Sequence, residues 1–196
     1  MDKPDTPQKL VSHPLCSGCM ACVSSCPTGA LEKSQDKDGY YRPYLNTEKC
    51  TSCGKCVRIC PVHNPEYKNS LTPDCYAFMA DDKTRFSSSS GGVFPVLAHS
   101  FLNEAGKVVG AAWMKDFSVE LILIDSVNDI SRLQKSKYVQ SYVGDIYLKV
   151  KEELERGEKI LFTGLPCQCA ALRAFLSRDY NNLFIVDVLC AQGPSI

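Results

Sequence analysis

The chain has 196 residues, enough for one or two domains, and its 44% hydrophobic content is ordinary for a protein with a buried core. Its 22 Lys and Arg balance 22 Asp and Glu, so the formal net charge is zero and the basic footprint of a nucleic-acid-binding protein is missing. No apolar run is long enough for a membrane span and the first ten residues are polar, so the expectation is a cytoplasmic protein.

Cysteine departs from this ordinary picture, with 12 in the chain. Without an apolar signal segment these read as metal ligands or redox groups rather than as a secreted disulfide framework. Eight of them fall in two matching runs, Cys16–Pro27 and Cys50–Pro61, offset by 34 positions. Each run is C-x2-C-x2-C-x3-C-P. Three thiolates on one tight loop reach three irons of a cubane, and the fourth points away to the other cluster. The expected ligand sets are therefore crossed: Cys16, Cys19, Cys22 and Cys60 for one 4Fe–4S cluster, and Cys50, Cys53, Cys56 and Cys26 for the other. Zinc is the bland alternative, but two triplets with trailing Cys-Pro do not divide into four-ligand zinc knuckles. Gly18, Gly29 and Gly54 fit as small residues where loop amides approach sulfide.

Between the runs, Asp38-Gly39 predicts the turn of a hairpin. Residues 67–74, polar and carrying Pro73, read as a linker that closes a two-cluster domain of residues 1–66. Over residues 75–196 the pattern becomes α/β. Helices are predicted at Val93–Leu102, Val143–Arg156 and Cys167–Leu176, the last opened by Pro166. Strands are predicted at Lys107–Trp113, Val119–Asp125, Lys159–Thr163 and Leu183–Leu189. The expected fold class is an α+β ferredoxin-like domain followed by an α/β domain with a mostly parallel sheet. The chain stops soon after its last strand, where such a layer normally continues, so an N-terminal portion of a longer protein is expected.

Three loops of the second part carry chemistry-bearing residues. Ser87-Ser88-Ser89-Ser90-Gly91-Gly92 precedes a helix, where free amides bind phosphate. Ser136-Lys137-Tyr138-Val139-Gln140-Ser141 is polar and aromatic. Gly164-Leu165-Pro166-Cys167-Gln168 lies at the carboxyl end of a strand, where α/β proteins bind ligands, and a thiolate at Cys167 would be stabilised by the helix N-terminus. A flexible connection is the plain reading of the Ser/Gly-rich loop, and the polar-aromatic loop alone is uninformative.

In this order, with Val186-Asp187 and Cys190, the three loops resemble the family of β-subunits of deazaflavin-reducing hydrogenases and dehydrogenases. The resemblance runs from the cysteine quartets to Ile196. It implies FAD beside the two 4Fe–4S clusters, in a flavin-binding domain of which residues 75–196 are the N-terminal part. The implied cofactor-binding residues are Ser89, Ser90, Gly91, Gly92, Ser136, Lys137, Tyr138, Gln140, Ser141, Gly164, Pro166, Cys167 and Gln168. Two departures stand out: Leu165 replaces the family's threonine, and Cys190-Ala191-Gln192-Gly193 replaces Cys-His-Gly. A flavin takes single electrons from clusters and delivers a hydride, so the pairing has a chemical logic.

The implied function is an iron–sulfur flavoprotein oxidoreductase, or its electron-input part, working with a redox partner protein or a small-molecule electron acceptor. The alternative is a non-catalytic ferredoxin-type electron-transfer subunit that docks a partner enzyme. No catalytic residue is assigned. Cys167, Cys169 and Cys190 are open between a further redox or metal site and buried structural cysteine. Cys75 and Trp113 read as packing residues, and His13, His63 and His99 carry no assignment.

Overall fold

The computed structural model describes residues 6–12, 14–65 and 72–190. Helix α1 (Pro7–Val11) is capped by Thr6, whose hydroxyl accepts from the Lys9 amide. The two cysteine runs lead into short helices α2 (Ala21–Ser25) and α3 (Lys55–Arg58). Between them β1 (Leu31–Gln35) and β2 (Tyr41–Leu45) form the expected antiparallel hairpin, with Leu31 opposite Leu45. The Asp36 carboxylate fixes the turn by accepting from the amides of Asp38 and Tyr40 at 3.0 and 2.9 Å. The repeat extends to the backbone. Gly18 and Ser52, one repeat apart, have φ of +66° and +52°, and Met20 and Gly54 have +59° and +70°. Each loop therefore turns twice through the left-handed region, and each repeat puts its glycine at a different one of the two turns.

The second part contains α4 (Asp82–Phe86), α5 (Val93–Asn103), β3 (Lys107–Trp113), β4 (Val119–Ile124), α6 (Ile130–Leu133), α7 (Ile146–Glu155), β5 (Ile160–Gly164), α8 (Pro166–Leu176) and β6 (Leu183–Asp187). The strands form one sheet in the order β4-β3-β5-β6. Pairs β3–β5 and β5–β6 are parallel, as expected, and β3–β4 is antiparallel, so the sheet is mixed. The physical reason is the connection. Residues 114–118 make a tight turn, far short of the dozen or so residues that a parallel crossover needs.

Side chains alternate across the sheet. Val108, Ala112 and Leu161 pack under α5 and α6, with Ala98, Leu102, Ile130 and Leu133. Val109, Leu121, Ile160 and Phe162 pack under α7 and α8, with Ile146, Tyr147, Val150 and Leu172. This second core continues into the cysteine-rich part through Met20, Ala21 and Tyr41. The cluster-binding half thus lies against the α7–α8 face. The expected linker falls largely outside the described residues, and direct packing joins the two parts.

Two packing expectations need correction. Cys75 is exposed, because it lies on an extended segment before α4 in which residues 72–79 are all exposed. Trp113, at the end of β3, is 51% exposed. Among the described residues no helix is long and apolar enough to cross a membrane.

Candidate metal centre and adjoining site

Two cavities separate the eight cysteines. One is lined by Cys16, Cys19, Cys22 and Cys60. The other is lined by Cys26, Cys50, Cys53 and Cys56. The structure thus brings together the crossed sets. Each loop supplies three thiols, and α2 and α3, packed on one another, carry the fourth across to the opposite loop. None of the eight is in a disulfide. Among the described residues no three His, Cys, Asp or Glu side chains converge on a point as a single ion requires. Tetrahedral zinc at about 2.3 Å per sulfur would need thiols about 3.8 Å apart. Four sulfurs spread around a cavity instead fit the larger cubane.

The electrostatics suit a cationic occupant. Burial pushes the Cys19 thiol up to about 12, against the opposing Ala21 amide. Burial raises Cys22 well above its ordinary value, and neighbouring Cys19 and Cys16 add to the effect. Cys56 and Cys60 are raised by burial too. Thiols this dry keep their protons unless a metal centre shares the space. Cys26 differs. Partial burial raises it, but the Thr28 hydroxyl and the amides of Leu31, Thr28 and Ala30 outweigh that and hold it low. Amides also face Cys60 from His63 and Val62, and the Ser52 amide donates to Cys50 Sγ at 3.4 Å. Amide-to-sulfur bonding is one of the levers by which a protein tunes such clusters. Cys53 is exposed, whereas Cys22 of the other set is buried, so the Cys50 loop is the outer one. His63, unassigned from sequence, lines the first cavity, and His13 lies outside the described residues.

The inner set adjoins the carboxyl end of β5. Tyr147, fully buried on α7, donates its hydroxyl to the carbonyls of Cys19 at 3.0 Å and Gln168 at 3.3 Å. Gln168 is 4% exposed; its Oε1 accepts from the Leu165 amide at 3.0 Å and its Nε2 donates to Ser141 Oγ at 2.8 Å. Gly164, Pro166, Cys167, Gln168 and Ser141 therefore form one neighbourhood. Cys167 opens α8, yet burial raises its thiol, so the helix N-terminus does not produce the expected stabilised thiolate. Burial likewise lifts Cys169, up to about 12, with its Sγ facing the Val186 carbonyl at 3.9 Å. Cys190 is exposed, and the sequence departure at residues 191–193 lies outside the described residues.

The other implied cofactor residues divide. Ser89 Oγ accepts from the Ser136 amide at 3.0 Å, which joins the Ser-rich loop to the polar-aromatic loop. Gly91 passes so close to the Phe78 carbonyl that a Cβ would lie 2.6 Å from it. Gly92, at φ +82°, starts α5, and Ser90 is exposed. Lys137 donates to the carbonyls of Gln134 and Arg132 at 2.7 and 3.2 Å, and burial lowers its ammonium to about 8. Tyr138 projects outward, 79% exposed. Gln140 faces elsewhere. Its Oε1 accepts from the Tyr41 amide at 2.6 Å and its Nε2 donates to the Tyr41 carbonyl at 3.4 Å. That pairing is part of the junction, together with the Tyr41–Tyr142 ring contact at 5.3 Å and Lys33 above the Tyr142 ring at 4.1 Å. Sequence reasoning missed Tyr147, Tyr142 and Lys33. Tyr147 shows in the sequence only as one residue of an apolar helical stripe.

A 4Fe-4S dicluster domain model matches residues 15–64. Along 94% of its length the chain is 27% identical to an F(420)H(2) dehydrogenase subunit of Methanosarcina mazei. It covers 56% of that protein, so the chain spans about half the length of this curated relative. A ferredoxin of Pyrobaculum islandicum is 37% identical over 68 residues, covering 35% of this chain and 60% of that one. A solved structure of the F420-reducing [NiFe] hydrogenase complex from Methanosarcina barkeri gives a TM-score of 0.47 at 20% identity, over 60% of this chain and 44% of that one. That likeness is too loose to bear on the site. The chain carries an N-terminal 4Fe–4S dicluster domain, followed by an α/β domain with a mixed sheet.

Proposed function

We propose that the chain is an electron-transfer unit in which two 4Fe–4S clusters exchange electrons with FAD held by the α/β part. Residues 1–66 would form the cluster domain, 67–74 the connection and 75–196 part of the flavin domain, in the cytoplasm. Cys16, Cys19, Cys22 and Cys60 would hold the inner cluster, and Cys50, Cys53, Cys56 and Cys26 the outer one. The observation that carries this reading is the continuous contact between the inner cysteine set and the β5–α8 loop. One tyrosine hydroxyl bonds the backbone of both Cys19 and Gln168.

FAD, when bound, supplies the conversion between single electrons and a hydride. The residues proposed to hold it are those of the three loops. Gly91, Gly92 and Gly164 let these loops pack closely on neighbouring chain, and Ser89, Ser90, Ser136 and Ser141 offer hydroxyls. Lys137 offers a cation whose burial would favour an anionic group beside it. Similarity to a subunit of an F(420)H(2) dehydrogenase adds support for a component of a larger redox complex, with a redox partner protein or a small molecule as acceptor.

Iron, sulfide and flavin per chain after anaerobic reconstitution test the reading. About eight irons, four per cluster, with one flavin is the expected result. Zinc in place of iron would overturn it. Eight irons without flavin would favour a second reading, a non-catalytic subunit that docks a partner enzyme. That reading draws on the exposed apolar side chains of Tyr76, Phe78, Met79 and Phe86.

A further inference from the structure

Ser17 follows the first cysteine of the inner loop and lines the cavity ringed by Cys16, Cys19, Cys22 and Cys60. Its Oγ is buried and has no hydrogen-bond partner among the described residues. The thiols of Cys19 and Cys167 are near enough to feel the hydroxyl, yet neither meets it at hydrogen-bonding geometry. Most buried hydroxyls in folded proteins are satisfied, so this one, on a cysteine-lined cavity and beside the Cys19 and Cys167 thiols, points to a sulfur acceptor once a cluster fills the cavity. The sulfurs of a 4Fe–4S cluster are acceptors of that kind. Ser24 also has an unpartnered buried hydroxyl, but it lines neither cavity. Thr51, the counterpart of Ser17 one repeat on, is exposed, so the outer loop has no equivalent buried donor.

We propose that the Ser17 hydroxyl donates a hydrogen bond to a sulfur of the inner cluster and raises that cluster's reduction potential. The proposal rests on the two-cluster reading and deepens it. Reduction adds one electron to the cluster and negative charge to its sulfurs, so a donor aimed at sulfur binds the reduced state more strongly than the oxidised one. Met20 and Ala21, both almost wholly buried, help close the cavity, which leaves little room for water to replace the hydroxyl. Ser17 stands on the side of the inner cluster that faces Cys167 and the start of α8. Its effect is to favour an electron resting beside the α/β part rather than at the outer loop. Ser17 is a positioning and tuning residue; it ligates nothing.

The test is a redox titration followed by electron paramagnetic resonance on the reconstituted chain and on Ser17→Ala, Ser17→Thr and Thr51→Ala. Threonine keeps the hydroxyl, and Thr51 shows that the equivalent backbone accepts it. The expected result is one midpoint lowered in Ser17→Ala, retained in Ser17→Thr and unmoved in Thr51→Ala, with about eight irons per chain throughout. Unmoved midpoints in Ser17→Ala, or equal shifts in Ser17→Ala and Ser17→Thr, would overturn the proposal and leave the two clusters standing. A fall to about four irons in Ser17→Ala would also overturn it, because the hydroxyl would then hold the cluster rather than tune it. Fewer than about eight irons in the unsubstituted chain would defeat the two-cluster reading itself, and this proposal with it.

Discussion

A Cβ placed on Gly18 would lie 2.3 Å from the Tyr41 carbonyl oxygen and 2.5 Å from Gln140 Nε2. The first of these is backbone and cannot step aside, and φ at Gly18 is +66°. Gly18→Ala should therefore cost at least about 2 kcal/mol from overpacking and left-handed strain together. Its counterpart Ser52 already carries a side chain at a left-handed φ, so Ser52→Gly should be neutral or stabilising by up to about 1 kcal/mol. Thermal unfolding of the two reconstituted variants would show opposite shifts in Tm; a small shift in Gly18→Ala would refute the close contact. The cysteine spacing was readable at this scale, and the eight cysteines group around two cavities in the expected crossed combination. The need for Gly18 was assigned to sulfide approach, but its neighbours are a hairpin carbonyl and a glutamine 122 positions away in the chain. Nothing in a single sequence records such a neighbour. The raised Cys167 thiol was misjudged for a related reason, since burial, which sequence does not show, outweighs the helix N-terminus.

At the scale of elements, hydrophobic periodicity placed the main helices and the strands within a few residues. The antiparallel pairing of β4 with β3, set by the tight turn between them, is the part of the sheet that the helix–strand alternation did not specify. The short helices α1, α4 and α6 were missed, being a single turn or little more, too short to show a period. Lys107 on β3 and Glu153 on α7 form an ion pair that ties the sheet to its covering helix. The hydrogen bond from Lys107, with Arg156 contributing, holds the Glu153 carboxyl below its usual value. A carboxylate lowered on folding contributes stability above its unfolded pKa of about 4.3, which is lost as pH falls through the folded value. Glu153→Gln should therefore lower stability near pH 7 and flatten its decline below about pH 4. Parallel acid-unfolding curves for the two proteins would contradict that. Tyr147→Phe removes the hydroxyl shared by the Cys19 and Gln168 carbonyls and should cost about 1 kcal/mol, chiefly from the Cys19 carbonyl, since the Gln168 carbonyl lies within α8. Its iron content should stay unchanged, and a loss of iron would show that Tyr147 supports cluster binding rather than the junction.

In the whole molecule the two parts share a core, and the inner cysteine loop is set between the outer loop and the α/β part. Composition and motif order made both parts legible, yet their mutual packing was not. Tyr41, Tyr142, Lys33 and Gln140 are ordinary residues whose meaning comes only from meeting one another. The three loops likewise carried a recognisable order but not their grouping, in which Ser89 meets Ser136 while Ser141 meets Gln168. Under the proposed reading the two clusters would form a relay between the outer loop and the inner one. Its central claim is the crossed ligand sets, and the most direct test is electron paramagnetic resonance of the reduced protein with Cys16→Ser, Cys60→Ser, Cys50→Ser and Cys26→Ser compared. The expected result is that Cys16→Ser and Cys60→Ser alter one cluster's signal, and Cys50→Ser and Cys26→Ser the other's. A signal altered jointly by Cys60→Ser and Cys50→Ser, with Cys16→Ser acting on the other, would contradict it.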